Sequence, residues 1–185
     1  MSKDRIVRTY LDSRMVMKGN YPYFVNPVSD GNPGITKELL DEITDNILEI
    51  SDLDCDLILA PEAMGIQYAA ALTIRTGIPF QVIRKRGHGF PDEISFRKST
   101  GYGESQMFVS GLKEGTRAVI VDDVLSTGGT LRSMIKALKE HGVAVTEVIV
   151  VLDKSDSAGS ISEETGVPVK SVLKVGVKDG RPVLR

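Results

Sequence analysis

Two adjacent carboxylates, Asp122 and Asp123, stand between an apolar run and a loop of hydroxyl and glycine residues. The run 118–121 predicts a buried strand, and the loop 126–130, Ser-Thr-Gly-Gly-Thr, precedes a helix that we expect to begin near Leu131. Backbone N–H groups of such a loop at a helix N-terminus bind phosphate, and carboxylates accept hydrogen bonds from hydroxyls. The loop alone could be a tight turn, and the acids could be solvated or cap the helix. Together they indicate a site for a phosphorylated sugar.

Two other predicted strands also end in residues that can hold an anion. The strand 56–60 leads into the small-residue loop 61–65, Pro-Glu-Ala-Met-Gly, and the strand 80–83 leads into the basic run 84–86, Arg-Lys-Arg. A loop that opens a helix presents N–H groups, and Arg and Lys bind phosphate oxygens. Each segment alone has an ordinary explanation, a β–α turn or a solvated basic face. At neighbouring strand ends they form a clamp suited to pyrophosphate.

The elements that position these residues alternate between strand and helix. Helices are predicted over 35–51, 64–75, 131–141 and 158–165, and further strands over 106–110, 146–152 and 169–176. This alternation predicts an α/β fold, a mostly parallel twisted sheet with helices on both faces. Residues 87–106 lack hydrophobic periodicity, which predicts a flexible loop beside the site. Residues 1–34 fit the alternation less well, and we expect them to form a small cap over the site.

Composition limits the possible classes of protein. The 185 residues suit a single domain spanning 1–185, and 23 basic against 25 acidic residues give no sign of a nucleic-acid partner. The one cysteine, Cys55, excludes an internal disulfide and suits a reducing cytoplasm. No apolar run approaches the ~18 residues of a membrane span. We therefore expect a cytoplasmic protein that contacts neither a membrane nor a nucleic acid.

The motifs resemble those of a known family. The run 119–131 resembles the phosphoribosyl pyrophosphate (PRPP) motif of type I phosphoribosyltransferases, and 61–65 and 82–87 resemble segments of adenine phosphoribosyltransferases. The fuller pattern is more similar to the archaeal hypoxanthine/guanine phosphoribosyltransferases, with their adenine-enzyme-like architecture. It adds three segments, 21–31, 53–56 and Thr100-Gly101-Tyr102.

The resemblance implies a role for each motif. Asp122 and Asp123 would hold the ribose hydroxyls, and Ser126, Thr127, Gly128, Gly129 and Thr130 would surround the 5′-phosphate. Pyrophosphate would be held by Ala63 and Met64, in a loop that often carries a non-proline cis peptide in this family, and by Arg84, Lys85 and Arg86. Mg²⁺ would bind through PRPP and water rather than directly to a side chain. The loop 87–106 would close over the site, and the cap over the base.

The base would be held by groups from other parts of the chain. Lys154, with Asp153 as its alternative, would recognise the 6-oxo group of hypoxanthine or guanine, and Tyr23 and Phe24 would stack on the ring. A Tyr/Phe cluster can equally be plain core.

Two positions depart from the family pattern. Gly101 precedes Tyr102 where adenine enzymes have a catalytic Glu, and Ser126 stands where the common hypoxanthine/guanine enzymes have an acid. The proton-transfer residue is therefore open, with Glu104, Asp92 and Glu93 as candidates.

The implied activity is transfer of phosphoribosyl from PRPP to hypoxanthine or guanine, giving IMP or GMP and pyrophosphate. Adenine is the alternative substrate. A non-catalytic PRPP-sensing regulator is the alternative class, which the two departures favour. The resemblance also implies a homodimer.

Overall fold

The computed structural model describes residues 1–19, 21–100 and 103–185, with side chains for all of these except 18, 21, 22, 98–100 and 103–105. The helices are α1 (Asp4–Leu11), α2 (Pro27–Asp30), α3 (Lys37–Ile50), α4 (Gly65–Thr76), α5 (Gly129–Glu140) and α6 (Ser157–Thr165). The strands are β1 (Arg14–Lys18), β2 (Tyr21–Val25), β3 (Leu57–Pro61), β4 (Phe80–Ile83), β5 (Ile94–Thr100), β6 (Gly103–Val109), β7 (Arg117–Leu125), β8 (Ala144–Asp153), β9 (Val169–Lys178) and β10 (Arg181–Leu184).

A six-stranded sheet in the order β10-β9-β8-β7-β3-β4 forms the centre of the protein. The five strands from β9 to β4 are parallel, and β10 pairs antiparallel with β9. The chain adds β4 on one side of β3 and then adds β7, β8 and β9 on the other side. The strand order therefore reverses between β3 and β7, and in such sheets ligands bind beyond the carboxyl ends at that point.

Each face of this sheet has its own apolar core. On β7, Val119 and Val121 pack with α3 and α4, whereas Ala118 and Ile120 pack with α5 and α6. Side chains of a strand alternate between faces, so a strand covered on both sides is apolar throughout. This explains the continuous apolar run at 118–121 and confirms the predicted α/β fold.

The N-terminal segment divides into two parts. Helix α1 packs against α3 and β10, with Ile6 and Tyr10 fully buried and the Tyr10 hydroxyl donating to the Gly176 carbonyl at 2.6 Å. The hairpin β1–β2 and the short helix α2 follow, and α2 contacts β7. Residues 1–34 thus include a core helix as well as the region next to the site.

A hairpin replaces most of the loop expected over 87–106. Strands β5 and β6 pair antiparallel from Ile94↔Val109 to Thr100↔Gly103. Ile94 and Phe96 alternate along β5 and are buried with Met107 and Val109 in the core beside α5. The loop prediction is wrong for this part because tertiary packing, and not local periodicity, stabilises these strands. Strand β10 was also absent from the predicted elements.

Candidate active site

A cavity of about 400 Å³ opens beyond the carboxyl ends of β3 and β7, where the strand order reverses. It brings together residues that the sequence assigned to four different roles. Those that line it are Tyr23, Phe24, Ala63, Met64, Lys85, Asp122, Asp123, Ser126, Thr127, Gly128, Thr130 and Lys154. Segments far apart in the chain therefore meet in one cavity.

The acid pair lies inside the last part of β7, because this strand continues to Leu125. The Asp123 backbone N–H donates to Asp122 Oδ1 at 2.9 Å. Burial, followed by the charge of Asp122 and a hydrogen bond that protonated Asp123 donates to the Asp122 side chain, raises the pKa of Asp123 well above the ordinary value. Two crowded carboxylates of this kind favour a partner that donates hydrogen bonds or carries positive charge.

The glycine loop turns directly into helix α5. Gly128 is the N-cap residue with φ of 75°, a left-handed conformation that glycine adopts without steric cost, and α5 begins at Gly129. The helix thus starts two residues before the predicted Leu131. Its first backbone N–H groups have no partner within the helix, so this end is suited to an anion.

The loop after β3 approaches the acid pair closely. The Glu62–Ala63 peptide bond is cis, and α4 begins at Gly65. A Cβ atom on Gly65 would lie 2.7 Å from the Val121 carbonyl oxygen and 3.4 Å from Asp122 Oδ1. Only glycine allows the start of α4 to pack this tightly against β7, which places Ala63 and Met64 in the cavity wall.

The basic run divides between two sides of the chain. Lys85 lines the main cavity, and its backbone N–H donates to Glu62 Oε2 at 2.9 Å. Arg84 instead lines a separate cavity of about 220 Å³ with His88 and Glu93. Arg84 forms a β-bridge with Phe108, the chain bends at Lys85 and Arg86, and Arg86 lines neither of these two cavities. The structure does not bring these two arginines to the main cavity.

An aromatic pair and a lysine form the opposite wall. The rings of Tyr23 and Phe24 are stacked at 6.1 Å between centroids, and Lys154 Nζ lies 5.1 Å from the centroid of Phe24. The Tyr23 hydroxyl donates to Asp30 Oδ1 at 2.7 Å. These contacts hold a flat apolar surface beside a cation.

Asp153 supports Lys154 and does not line the cavity. Its side chain is buried, and Asp153 Oδ1 accepts hydrogen bonds from the Ser155 backbone N–H at 3.0 Å and the Ser155 hydroxyl at 3.3 Å. The Lys154 N–H donates to the Leu125 carbonyl at 2.9 Å. The purine-contact alternative assigned to Asp153 is therefore not supported, because its carboxylate is used in this turn.

The candidates for proton transfer are not brought to the cavity by the described contacts. Asp92 accepts from the Gly111 N–H beyond β6 at 2.7 Å, and Glu93 accepts from the His88 N–H in its own loop at 2.7 Å, and neither residue lines the cavity. The side chain of Glu104, like Gly101 and Tyr102, lies outside the described residues.

Several cavity residues were absent from the residues predicted from sequence. Glu62 and Ser29 line the polar part, and the deeper part is apolar, formed by Met107, Ile120, Leu131, Met134, Val148 and Val150. Glu62 could have been found from its place between two site segments. The apolar residues carry no local signal that separates them from ordinary core.

The fold and the cavity define an α/β protein suited to a phosphorylated sugar at the carboxyl edge of its sheet. Residues 35–172 match the family model described as "Phosphoribosyl transferase domain", and the chain belongs to this family. The resemblance seen in the sequence is thereby confirmed.

The similar proteins include curated archaeal enzymes and a solved structure. The chain is 46% identical to the hypoxanthine/guanine phosphoribosyltransferase of Methanohalophilus mahii, covering 92% of this chain and 90% of that one. It is 44% identical to the enzyme of the same name from Methanothermobacter thermautotrophicus, covering 96% and 92%. The crystal structure of adenine phosphoribosyltransferase from Thermoanaerobacter pseudethanolicus matches with a TM-score of 0.75 and 25% identity, over 94% of this chain and 99% of that one.

Among the helices of the described residues, none combines the length and apolarity that crossing a membrane requires.

Proposed function

We propose that the protein transfers a phosphoribosyl group from PRPP to hypoxanthine or guanine, releasing pyrophosphate. The observation that carries this proposal is the single cavity that joins the acid pair, the glycine loop and Lys154. The acid pair suits ribose hydroxyls, the glycine loop suits a phosphate, and Lys154 suits an oxo group on a purine ring. The names of the archaeal relatives support the same activity.

The sugar phosphate is bound at the carboxyl end of β7. The 5′-phosphate accepts hydrogen bonds from the loop 126–130 and the first turn of α5. Asp122 and Asp123 accept hydrogen bonds from the 2′ and 3′ hydroxyls of ribose. This arrangement fixes the sugar, so that one face of C1 is presented to the base and the other to the leaving pyrophosphate.

The bond from C1 to pyrophosphate breaks while a ring nitrogen of the purine bonds to C1 with inversion. Positive charge grows on the sugar ring and negative charge on the departing oxygens, as in glycosyl transfer generally. Lys85 and the backbone of Ala63 and Met64 stabilise the negative charge. The crowded carboxylates lie near the sugar, where they favour the positive charge.

Magnesium fits this donor set. Mg²⁺ prefers oxygen ligands and keeps several waters when it binds substrate phosphates. The carboxyl groups of Asp122 and Asp123 line the cavity and would hold those waters, while PRPP would supply the direct ligands. Bound in this way, Mg²⁺ would supply positive charge that stabilises the departing pyrophosphate.

The 6-oxo purines are the preferred bases because Lys154 donates hydrogen bonds and accepts none. Its ammonium lies beside the aromatic wall, 5.1 Å from the centroid of Phe24. Adenine presents an amino group at the same ring position, and this group cannot accept a hydrogen bond from the ammonium, so the selective contact is lost.

Adenine is the second candidate substrate, supported by the similarity to the bacterial adenine enzyme. The third is a regulator that binds PRPP without turnover. It is supported by the place of Asp92 and Glu93, whose carboxylates accept from the backbone N–H groups of Gly111 and His88 and do not line the cavity.

One assay separates these functions. Purified protein, PRPP and Mg²⁺ are mixed separately with hypoxanthine, guanine and adenine, and monophosphate formation is followed, with EDTA as the control. Turnover of the two 6-oxo purines and loss of activity in EDTA is the expected result. Rapid turnover of adenine alone would overturn the preference, and PRPP binding without turnover of any base would identify a regulator.

We also propose a cytoplasmic homodimer, which rests on the family resemblance and the single cysteine. Sedimentation equilibrium of the purified protein measures the assembly, and a mass of one chain at micromolar concentration would contradict it.

A further inference from the structure

Helix α6 and Arg132 contact the phosphate-binding loop from the side opposite the cavity. Arg132 lies in the first turn of α5, and its Nη1 donates to the Thr127 carbonyl at 3.3 Å. Its other nitrogens bind α6, through Nε to Glu164 Oε2 at 2.5 Å, Nη2 to Glu164 Oε1 at 3.1 Å and Nη2 to Ser160 Oγ at 2.9 Å. The guanidinium therefore holds the loop and α6 together.

The carbonyls of Leu125, the last residue of β7, and of the first two loop residues all accept hydrogen bonds. The Leu125 carbonyl accepts from the Lys154 N–H at 2.9 Å, and the Ser126 carbonyl accepts a long hydrogen bond of 3.4 Å from the Ser157 hydroxyl. The Thr127 carbonyl accepts from Arg132. The two loop carbonyls, of Ser126 and Thr127, are thus held by Ser157 at the start of α6 and by Arg132, which itself binds α6.

A trans peptide bond directs its C=O and the next N–H in opposite directions. With the Ser126 carbonyl held by Ser157 and the Thr127 carbonyl by Arg132, the N–H groups of Thr127 and Gly128 turn away from these donors, and both residues line the cavity. Successive N–H groups in one direction form an anion-binding concavity. A flipped Thr127 peptide would instead present a carbonyl oxygen to the phosphate.

Packing leaves little space for a different loop conformation. A Cβ atom on Gly128 would lie 2.7 Å from Arg132 Nη1 and 2.5 Å from Ile161 Cδ1. Ile161 belongs to α6 and is fully buried. The loop is therefore confined between its own helix and α6.

We infer that Arg132 and Glu164 are positioning residues, which orient the loop for the 5′-phosphate of PRPP without contacting substrate. This inference rests on the proposed binding of that phosphate at residues 126–130. A phosphate contact is made equally in the ground state and the transition state. Loss of the orientation should therefore raise the KM for PRPP and leave kcat and the KM for the purine unchanged.

The test compares Glu164→Gln and Arg132→Lys with the wild type. Each variant removes the bidentate pair that fixes the guanidinium. We expect the KM for PRPP to rise about tenfold in both, while the KM for hypoxanthine and kcat change less than about twofold. The melting temperature should hardly move, because an exposed ion pair contributes little to stability.

The matched control is Lys136→Gln on the same helix, whose partner Glu140 also lies on α5. It removes a cation without affecting α6 and should leave every parameter unchanged. Calorimetric titration with ribose 5-phosphate, which lacks pyrophosphate and base, gives a readout besides turnover. Its affinity should fall in the two variants and not in the control.

The outcomes separate this inference from the proposed function. A wild-type protein that turns over no purine would overturn the function. An active wild type whose variants keep the same KM for PRPP would overturn the inference alone. Equal increases of both KM values with a lower melting temperature would indicate a merely structural pair, which also contradicts it.

Discussion

At the scale of single residues, the site places two carboxyl groups side by side and buries one of them. Asp122 and Asp123 are adjacent on β7, and burial together with Asp122 raises the pKa of Asp123 well above normal. An arrangement that costs the folded protein stability is common at ligand sites. The proposed function gives these carboxyl groups the ribose hydroxyls as ligands.

Asp123→Asn tests this role. The amide offers a neutral acceptor in place of a carboxylate, so two charge-assisted hydrogen bonds of roughly 1.5–3 kcal/mol each are weakened. We expect kcat/KM for PRPP to fall about a hundredfold or more, as steady-state kinetics would measure. Unchanged kinetics would remove Asp123 from the site.

The same substitution should stabilise the folded protein at neutral pH. Because the pKa of Asp123 is raised on folding, the native state keeps a proton that the unfolded chain has lost. Stability therefore falls as pH rises from the ordinary value near ~3.9 toward the raised native value. Asp123→Asn removes this loss, so its melting temperature should exceed that of the wild type at pH 7 to 8. The difference should disappear below about pH 4, and an advantage that persists there would contradict the raised pKa.

Lys154→Gln tests the choice of base. Glutamine cannot supply the charged donor, so we expect the KM for hypoxanthine and guanine to rise about tenfold or more, while turnover of adenine does not fall. The control is Lys139→Gln, an exposed lysine on α5, which should behave as the wild type. Equal losses for all three bases would show that Lys154 does not discriminate between them.

Residue chemistry was largely predictable from the sequence where it lies within one local motif. Asp122, Asp123 and the loop 126–130 are contiguous, so their order alone identifies the chemistry. The direction of a side chain was not predictable in the basic run, since Lys85 faces the main cavity and Arg84 faces another. That difference depends on the bend of the chain directly after the Arg84 bridge, which composition does not specify.

At the scale of elements, the start of α4 is fixed by its approach to β7. Gly65 is the first residue of α4, and a Cβ atom there would meet the Val121 carbonyl at 2.7 Å and the Pro61 ring at 3.2 Å. Both neighbours are backbone or ring atoms that cannot rotate away. The helix would have to move, and with it Ala63 and Met64 in the cavity wall.

Gly65→Ala should therefore lower both stability and activity. We expect a loss of about 1–3 kcal/mol in the free energy of unfolding, the usual cost of overpacking, and a higher KM for PRPP. Denaturant titration and kinetics would measure these. The control is Gly159→Ala in α6, where the added methyl meets nothing within 4 Å. That variant should gain about 0.5–1 kcal/mol because alanine is the better helix former. A stable, fully active Gly65→Ala would contradict the close approach.

The hairpin β5–β6 shows where element prediction failed. Its residues carry few apolar side chains in sequence, and only Ile94, Phe96, Met107 and Val109 bury against the core beside α5. Among the described residues, the hairpin is joined to the rest of the protein by a single isolated β-bridge, between Phe108 of β6 and Arg84. Contacts between residues far apart in the chain cannot be recognised from a short stretch of sequence. Strand β7 was predictable because burial on both faces makes its sequence continuously apolar.

At the scale of the whole molecule, one sheet divides the apolar interior into two clusters. Ile43 of α3 is fully buried on one face, and Leu138 of α5 is fully buried on the other. The strands between them supply alternate side chains to both clusters. Neither cluster can lose its packing without exposing the opposite face of the same strands, so we expect the protein to unfold in a single cooperative transition.

Ile43→Ala and Leu138→Ala test this coupling from opposite faces. Each substitution leaves a buried cavity and lowers the free energy of unfolding by about 2–5 kcal/mol. For a domain of this size, the melting temperature should fall by roughly 5–15 °C. Both variants should still show one transition, with coincident curves from circular dichroism and calorimetry at one protein concentration. The conservative controls Ile43→Val and Leu138→Met should cost less than about 1.5 kcal/mol each. Two separate transitions in either alanine variant would contradict this coupling. They would mean that each cluster can lose its packing while the sheet shared by both clusters stays folded.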